Sequence, residues 1–174
     1  ALFSEFPIGG VWPRGLHPAA CAEKAQVVLS LSDADPAGAH PLHLVPHIAV
    51  LGVGCRKGTP AGHILELLED FLARAQVSRR ALCRVCSIDL KANEPGLLEA
   101  CRELGLPLST YPAEALAALP GPFTPSAFVQ SVTGVDNVCE RAAVKGSGGA
   151  LLAPKYAKNG VTLALALCPF APEF

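Results

Sequence analysis

The segment Gly52–Thr59, with the sequence GVGCRKGT, is the feature that most constrains how this chain can fold. It follows the apolar run Ile48–Leu51 and precedes a segment from Pro60 to about Gln76 in which apolar residues recur at helical period. A buried strand that stops at glycines and leads directly into an amphipathic helix is typical of an α/β domain. We expect Thr59 to cap this helix and Pro60 to occupy its first position.

From residue 47 onward, strand and helix patterns alternate along the chain. Asn159-Gly160 is a strong β-hairpin signal between two apolar runs. The predicted strands are His47–Gly52, Leu82–Ile88, Pro107–Tyr111, Leu151–Lys158 and Val161–Cys168. The predicted helices after the first are one capped by Asn93 and ended by Gly105, then Ala113–Leu119, Pro125–Val132 and Asn137–Val144. This order predicts a three-layer α/β/α fold with a mixed, mostly parallel sheet that ends in a β-hairpin.

The composition fits one substantial core and no general surface for nucleic acid. The chain has 174 residues, 51% of them hydrophobic, and a formal net charge of −1. A near-neutral balance argues against a nucleic-acid or anionic-membrane surface. The start of the sequence lacks the pattern of a signal peptide or a spanning helix. We therefore expect a cytoplasmic protein without nucleic-acid or membrane partners.

Seven cysteines and five histidines raise the question of a metal site. An odd number of cysteines scattered through apolar stretches is typical of reduced thiols. Cys83 and Cys86 form a C-x-x-C pair, but residues three apart on a strand point to opposite faces, and no second pair lies at zinc-ribbon spacing. His40, His43 and His47 lie in a proline-bounded linker. We expect no metal site and no resident cofactor.

The glycine-rich turn itself predicts an anion site. Backbone N–H groups at a helix N-terminus carry partial positive charge, and Arg56 and Lys57 add full charges. The spacing matches neither the dinucleotide fingerprint nor the P-loop, so nucleotide binding is only weakly indicated. A tight turn with two solvated basic residues is the alternative interpretation. The same surroundings should lower the pKa of the Cys55 thiol.

A second loop leads from an apolar strand into a helix at residues 87–97. In open α/β sheets, ligands bind beyond the carboxyl ends of the strands. This loop should therefore lie beside the first one. We expect Arg56, Lys57 and Lys91 to lie together, joined by Lys155 or Lys158 from the hairpin.

Four motifs in order resemble the C-terminal domain of the cobalamin-biosynthesis protein CbiG, the cobalt-precorrin-5A hydrolase, and its short relative CobE. They are Gly52–Thr59, Ser87–Leu97, Ser126–Val129 with Gly134–Ala143, and Gly149–Lys155 with Gly160–Ala164. The resemblance covers the chain from about His47 to Leu167. Lys57 stands where the family pattern has arginine, and Asn93 where an acidic residue is common, so no acidic role is carried over to position 93.

The resemblance implies a cobalt-corrin substrate whose rim carries acetate and propionate carboxylates. The family reaction opens a lactone on the ring-A acetate and releases acetaldehyde, which requires an activated water and a stabilised oxyanion. Asp89 and Glu94 are the candidate catalytic carboxylates, and His63 is a second-rank base. The candidate substrate-binding residues are Gly54, Cys55, Arg56, Lys57, Gly58, Thr59, Lys91 and Lys155. Cobalt is expected only within the substrate.

Two functions fit this resemblance. The first is the substrate-binding or catalytic part of a cobalt-precorrin-5A hydrolase, with the N-terminal portion of CbiG or other pathway enzymes as partners. The second is a non-catalytic, CobE-like module that binds or carries a corrinoid.

The resemblance also divides the chain into three parts. Residues 1–46 form the tail of a preceding region and a linker, 47–170 form the CbiG C-terminal or CobE-like domain, and 171–174 form a C-terminal tail. Within the first part, Val27–Leu31 is expected to be a strand that lacks its sheet or joins the main one.

Overall fold

The computed structural model describes residues 1–35 and 38–174, which form two β-sheets and five α-helices. The strands are β1 (Leu2–Ser4), β2 (Val27–Leu29), β3 (Leu42–Leu44), β4 (Ala49–Cys55), β5 (Leu82–Ile88), β6 (Leu108–Tyr111), β7 (Ala150–Lys158) and β8 (Val161–Leu167). The helices are α1 (Ala61–Ala75), α2 (Pro95–Leu104), α3 (Ala113–Ala117), α4 (Ala127–Thr133) and α5 (Cys139–Ser147).

The larger sheet has the strand order β6-β5-β4-β8-β7. Strands β4, β5 and β6 are parallel, whereas β8 is antiparallel to both of its neighbours. Asn159 and Gly160 have φ values of 51° and 79°, which are the left-handed values that a two-residue hairpin turn requires. The predicted mixed sheet with a C-terminal hairpin is confirmed.

Helices cover both faces of the central strand β4. Leu51 and Val53 belong to the larger hydrophobic core, which also contains apolar residues of α1 and α2. Val50 points to the opposite face, into a smaller core with Leu116 of α3 and Ala142 of α5. A strand buried on both faces gives a continuous apolar run instead of an alternating one. The predicted three-layer α/β/α arrangement is confirmed.

Two helix starts differ from the sequence prediction. Pro60 is the N-cap of α1, and the Thr59 hydroxyl donates a hydrogen bond of 2.8 Å to the carbonyl of Arg56 instead of capping the helix. The N-cap of α2 is Glu94 and not Asn93. In both cases the N-cap lies one residue after the short polar residue that the sequence predicts as the cap.

The first 46 residues contain more structure than the sequence predicts. Strand β2 is the centre of a separate three-stranded parallel sheet of order β1-β2-β3, so it neither lacks a sheet nor joins the main one. Strand β3 lies within the predicted linker. Leu31 packs into the larger core, and its carbonyl accepts a hydrogen bond of 2.7 Å from the N–H of Ser78. The proposed boundary at residues 46 and 47 stays a prediction.

The predicted opposite orientation of Cys83 and Cys86 is wrong. Ala49 pairs with Leu82 but Val50 pairs with Arg84, so β5 contains one extra residue at this point. Such a bulge inverts the alternation of side chains along a strand. Both thiols consequently pack against the smaller core. No cluster of three potential metal ligands was found in the described residues, and none of their helices could cross a bilayer.

Gly52 allows α5 to approach the sheet closely, and replacing it should destabilise the fold. A Cβ at this position would lie 1.8 Å from the carbonyl oxygen of Cys139. We expect Gly52→Ala to lower the free energy of unfolding by about 1–3 kcal/mol or more, because backbone would have to move. Gly62→Ala on α1 is the matched control, since a Cβ there would meet no neighbouring side chain or element within 4 Å. Thermal unfolding measures both stabilities. Equal stability of Gly52→Ala and Gly62→Ala would contradict this account.

Candidate functional site

A cavity of about 590 Å³ opens at the carboxyl ends of β4 and β5, beside the hairpin turn. Its walls come from the turn after β4, the segment after β5, helix α4, the start of α5, and the hairpin. Because β8 is antiparallel, its first residues reach the same edge of the sheet as the last residues of β4. The sheet topology therefore gathers five separate segments around one space.

The structure brings together most of the residues that the sequence singled out. Gly54, Cys55, Arg56, Lys57, Lys91 and Lys155 all line the cavity, and Lys158 joins them. Gly58, Thr59 and Glu94 instead line an adjoining depression between the starts of α1 and α2. Asp89 is exposed in a short 3-10 helix and is not among the residues that line either space.

The cavity combines exposed apolar side chains with basic ones. Leu90, Phe128 and Val132 line it and are 66%, 67% and 62% exposed. Exposed apolar groups this close together commonly mark a binding surface. Sequence analysis missed these three residues. Leu90 and Phe128 lie within two of the sequence motifs, and Phe128 and Val132 are four residues apart on the short helix α4, but neither signal predicts that these side chains are exposed at a cavity.

Four cations at the cavity have no carboxylate partner among the described residues. Five ion pairs occur within residues 1–35 and 38–174, and none of them includes Arg56, Lys57, Lys155 or Lys158. Arg56 lies over the hairpin turn, where a Cβ on Gly160 would be 2.8 Å from its Cδ atom. Gly160 therefore serves both the turn conformation and the position of this guanidinium.

Most backbone N–H groups of the glycine-rich turn are already paired inside the protein. The N–H of Arg56 donates to the carbonyl of Gly160 at 3.1 Å, and that of Thr59 donates to the carbonyl of Arg56 at 3.3 Å. The N–H of Gly58 donates to the Glu94 carboxylate at 2.7 Å. These three groups are consequently not free to bind an anion or to stabilise an oxyanion. The anion that binds the turn before α1 is therefore the Glu94 carboxylate of the protein itself.

Glu94 connects the two loops that the sequence placed side by side. Besides the N–H of Gly58, its carboxylate accepts a hydrogen bond of 3.1 Å from the ammonium of Lys91. Burial by itself would raise the pKa of Glu94, but these two partners outweigh it and hold the pKa below its ordinary value. A carboxylate so engaged is a weak base. Its placement explains how the turn is held, and its catalytic role stays a prediction.

The expected lowering of the Cys55 pKa is wrong. Burial raises the pKa of Cys55, although Lys91 acts in the opposite direction. Burial also raises the pKa of Cys139, the other thiol at the cavity, to about 12. The nearby charges and the helix terminus would lower the pKa of Cys55 in an exposed loop. Burial of the thiol, which the sequence does not reveal, outweighs them. Both thiols are therefore protonated at neutral pH.

The wall formed by α4 and α5 is held by polar residues that are buried or half-buried. Asp136 pairs with Arg141 at 2.8 Å, and Arg141 also donates to the carbonyls of Leu116 and Leu119 at the end of α3. Asn137 is 1% exposed and donates a hydrogen bond of 2.8 Å to the carbonyl of Thr124. Asp136 is the one carboxylate among the described residues that line the cavity, and Arg141 occupies it.

Residues 49–166 match the family model described as cobalamin synthesis G C-terminus. The match covers well over half of the 174 residues. The chain therefore belongs to the family of CbiG C-terminal domains, as the four sequence motifs predict.

Two relatives in this family have different names. The chain is 37% identical over 122 residues to the cobalt-precorrin-5A hydrolase of Salmonella typhimurium, and the match covers 70% of this chain and 35% of that protein. The chain thus spans about a third of the length of that curated relative. The second relative is CobE, a protein from the cobalamin (vitamin B12) biosynthetic pathway, whose sequence is 32% identical. Its crystal structure matches with a TM-score of 0.65, and the match covers 76% of this chain and 98% of that chain.

A longer structure includes the fold of the N-terminal segment as well. A cobalamin biosynthesis protein G homologue from Sulfolobus solfataricus matches 97% of this chain and 51% of its own chain, with a TM-score of 0.60 and 17% identity. At this identity the likeness concerns the fold alone. Nearly the whole fold of this chain, including the small sheet, thus occurs within a larger protein.

The bond between Glu94 and Gly58 should make stability depend on pH. Because the folded-state pKa of Glu94 lies below the ordinary value of 4.5, this contribution is fully present above pH 4.5 and is lost as the pH falls through the folded-state pKa. We expect Glu94→Gln to be less stable than wild type at pH 7, and this difference to shrink below pH 4.5. Urea unfolding at several pH values measures it. A difference that stays constant with pH would contradict the proposed role.

Proposed function

We propose that this chain binds a cobalt-corrin intermediate of cobalamin biosynthesis through the cavity at the strand ends. The observation that carries the proposal is an apolar cavity edged by four cations, Arg56, Lys57, Lys155 and Lys158, which lack carboxylate partners among the described residues. A corrin has a broad apolar ring and a rim of carboxylates. Apolar walls fit the first feature and basic groups fit the second.

The apolar residues at the mouth of the cavity support a flat guest. Leu90 lies on the segment after β5, whereas Phe128 and Val132 lie on α4. These side chains are exposed in the free protein, so covering them with a ring would remove apolar surface from water. A compact anion such as phosphate would leave them exposed. The combination of walls and charges therefore favours a large amphipathic anion.

The relatives suggest which corrinoid is bound. One is named cobalt-precorrin-5A hydrolase and another belongs to the vitamin B12 pathway. We infer that the guest is a cobalt-precorrin and that the complete hydrolase opens its ring-A lactone and releases acetaldehyde. The N-terminal portion of such a hydrolase, or another pathway enzyme, is the proposed partner. Cobalt enters the site only as part of the substrate.

A non-catalytic, CobE-like role is the second candidate, and the cavity favours it for this chain alone. Asp136 is held by Arg141, and Glu94 is held by Gly58 and Lys91. Asp89 and His63 are not among the residues that line the cavity. General base catalysis requires a group within hydrogen-bond reach of the reacting water. The described lining offers no unoccupied carboxylate or imidazole for this purpose.

Acetaldehyde release distinguishes these two functions. We expect this chain to bind cobalt-precorrin-5A but to release no acetaldehyde from it without the rest of a hydrolase. An enzyme-coupled acetaldehyde assay, with the complete Salmonella typhimurium hydrolase as positive control, measures the reaction. Turnover by this chain alone would show that it is catalytic. Loss of that turnover in Asp89→Asn or Glu94→Gln would then assign the base.

Removal of Arg56 should weaken the binding of a carboxylate-bearing corrin. Cobyrinic acid carries free carboxylates on its rim, whereas cobinamide carries amides on the same macrocycle. We expect Arg56→Ala to weaken cobyrinic acid binding by about 1.5–3 kcal/mol, the scale of a hydrogen bond to a charged group, and to leave cobinamide binding nearly unchanged. Isothermal titration at two salt concentrations measures both, and cobyrinic acid binding should weaken as salt increases.

The exposed Arg80 provides a matched control for charge alone. It lies in a 3-10 helix before β5 and is not among the residues of the cavity. Arg80→Ala should bind both corrins as the wild type does. Equal affinity of wild type and Arg56→Ala for cobyrinic acid would mean that the turn is architectural. Competition by ATP or NAD would instead support a nucleotide site.

A further inference from the structure

A fully buried carboxylate lies directly behind the cavity. Glu140, in the first turn of α5, is 0% exposed. One carboxylate oxygen accepts bonds from the Thr124 hydroxyl at 2.9 Å and the Lys155 N–H at 2.6 Å. The other accepts the Thr124 N–H at 2.8 Å. No ion pair within residues 1–35 and 38–174 includes Glu140. The charge is satisfied by hydrogen bonds alone.

These bonds join two walls of the cavity. Thr124 precedes α4, whose residues form the apolar wall, and Lys155 belongs to β7 on the hairpin side. Asn137 strengthens the connection, because its side chain donates to the Thr124 carbonyl and accepts from the Glu140 N–H, both at 2.8 Å. The start of α5 thus holds the segment before α4 and strand β7 at fixed separations.

Strand β7 is irregular at the point where Glu140 binds it. Ala153 pairs with Leu165 and Tyr156 pairs with Leu163, so β7 advances three residues while β8 advances two. The extra residue lies at Pro154-Lys155, and proline contributes no N–H to the ladder. A bulge of this kind redirects a side chain and is common beside functional sites. The Lys155 N–H points to Glu140, and the Lys155 side chain lines the cavity.

Stability alone is a poor explanation for Glu140. Burying a charge costs free energy, and an apolar residue of similar size often serves a core at least as well. A buried carboxylate with three donors does something that an apolar residue cannot do, since it fixes two backbone segments in direction as well as distance. A lysine whose backbone is already held in place loses less conformational entropy when a ligand binds, which favours binding.

We propose that Glu140 is a positioning residue that holds the Pro154-Lys155 bulge and thereby directs the Lys155 ammonium toward a carboxylate of the bound corrin. This role rests on the proposed function of the cavity. It makes Lys155 a specificity residue whose effect depends on Glu140. Arg56 contacts the hairpin turn at Gly160, to which Glu140 makes no hydrogen bond, so we expect its effect not to depend on Glu140.

A double-mutant cycle tests this dependence. In Glu140→Gln, an amide NH₂ replaces one acceptor oxygen and must face donors. We expect Lys155→Ala to weaken cobyrinic acid binding about tenfold in the wild type, the scale of one hydrogen bond to a charged group, and less than about twofold in Glu140→Gln. Arg56→Ala should have the same effect in both backgrounds. Isothermal titration supplies all the affinities, and cobinamide should bind alike throughout.

The outcomes separate three cases. Additive effects of Glu140→Gln and Lys155→Ala would overturn the role of Glu140. Equal coupling of Glu140→Gln to Arg56→Ala would also overturn it, because a general loss of structure would produce that result. A wild-type protein that does not bind cobyrinic acid would overturn the proposed function and, with it, the role of Lys155.

Amide hydrogen exchange in the wild type tests the geometry even if Glu140→Gln does not fold. We expect the amides of Lys155 and Thr124 to be protected, although Lys155 lies on an edge strand at a bulge. Protection comparable to that of the paired strand β8 supports the buried bonds. Rapid exchange at Lys155 would overturn the proposal without reference to any ligand.

Discussion

The close contact between α5 and the central strand β4 is the constraint on which the rest of the structure depends. A Cβ at Gly52 would lie 1.8 Å from the Cys139 carbonyl, and one at Gly146 would lie 2.3 Å from the Cys86 sulfur. These contacts near the two ends of α5 place the helix directly on the sheet. Because the start of α5 is fixed against β4, residues 136–139 are held in the wall of the cavity and Glu140 lies directly behind them.

The sequence predicts the main sheet well because burial on both faces leaves a strong pattern. Strand β4 and helix α1 are long enough for their apolar periods to be unambiguous. Strands β1 and β3 have three residues each, and their partner strand β2 is distant from both in the sequence, so no local pattern marks them. The bulge at Cys83 was equally hidden. It depends on how β5 meets β4, which is a tertiary property.

The candidate site divides in the same way. The cations of the cavity could be predicted, because the carboxyl ends of parallel strands meet at one edge of a sheet. The partners of the turn could not, since Glu94 lies 36 residues from the Gly58 N–H that it binds. The exposed side chains of Leu90, Phe128 and Val132 were also missed. Only the relative placement of α4 and the loop after β5 makes them one surface.

The cavity is positively charged because the carboxylates in and around it are already paired within the protein. The whole chain has a net charge of −1, yet Glu94 binds Lys91 and the Gly58 N–H. Glu140 accepts hydrogen bonds from Thr124 and the Lys155 N–H, and Asp136 is paired with Arg141. The cavity therefore retains four cations that no described carboxylate pairs with, beside apolar side chains that are exposed in the free protein. Like charges gathered at one edge of the sheet repel one another, although solvent and salt screen the repulsion between exposed side chains. A guest with several carboxylates relieves that repulsion, whereas a neutral macrocycle of the same shape covers the walls and leaves it in place.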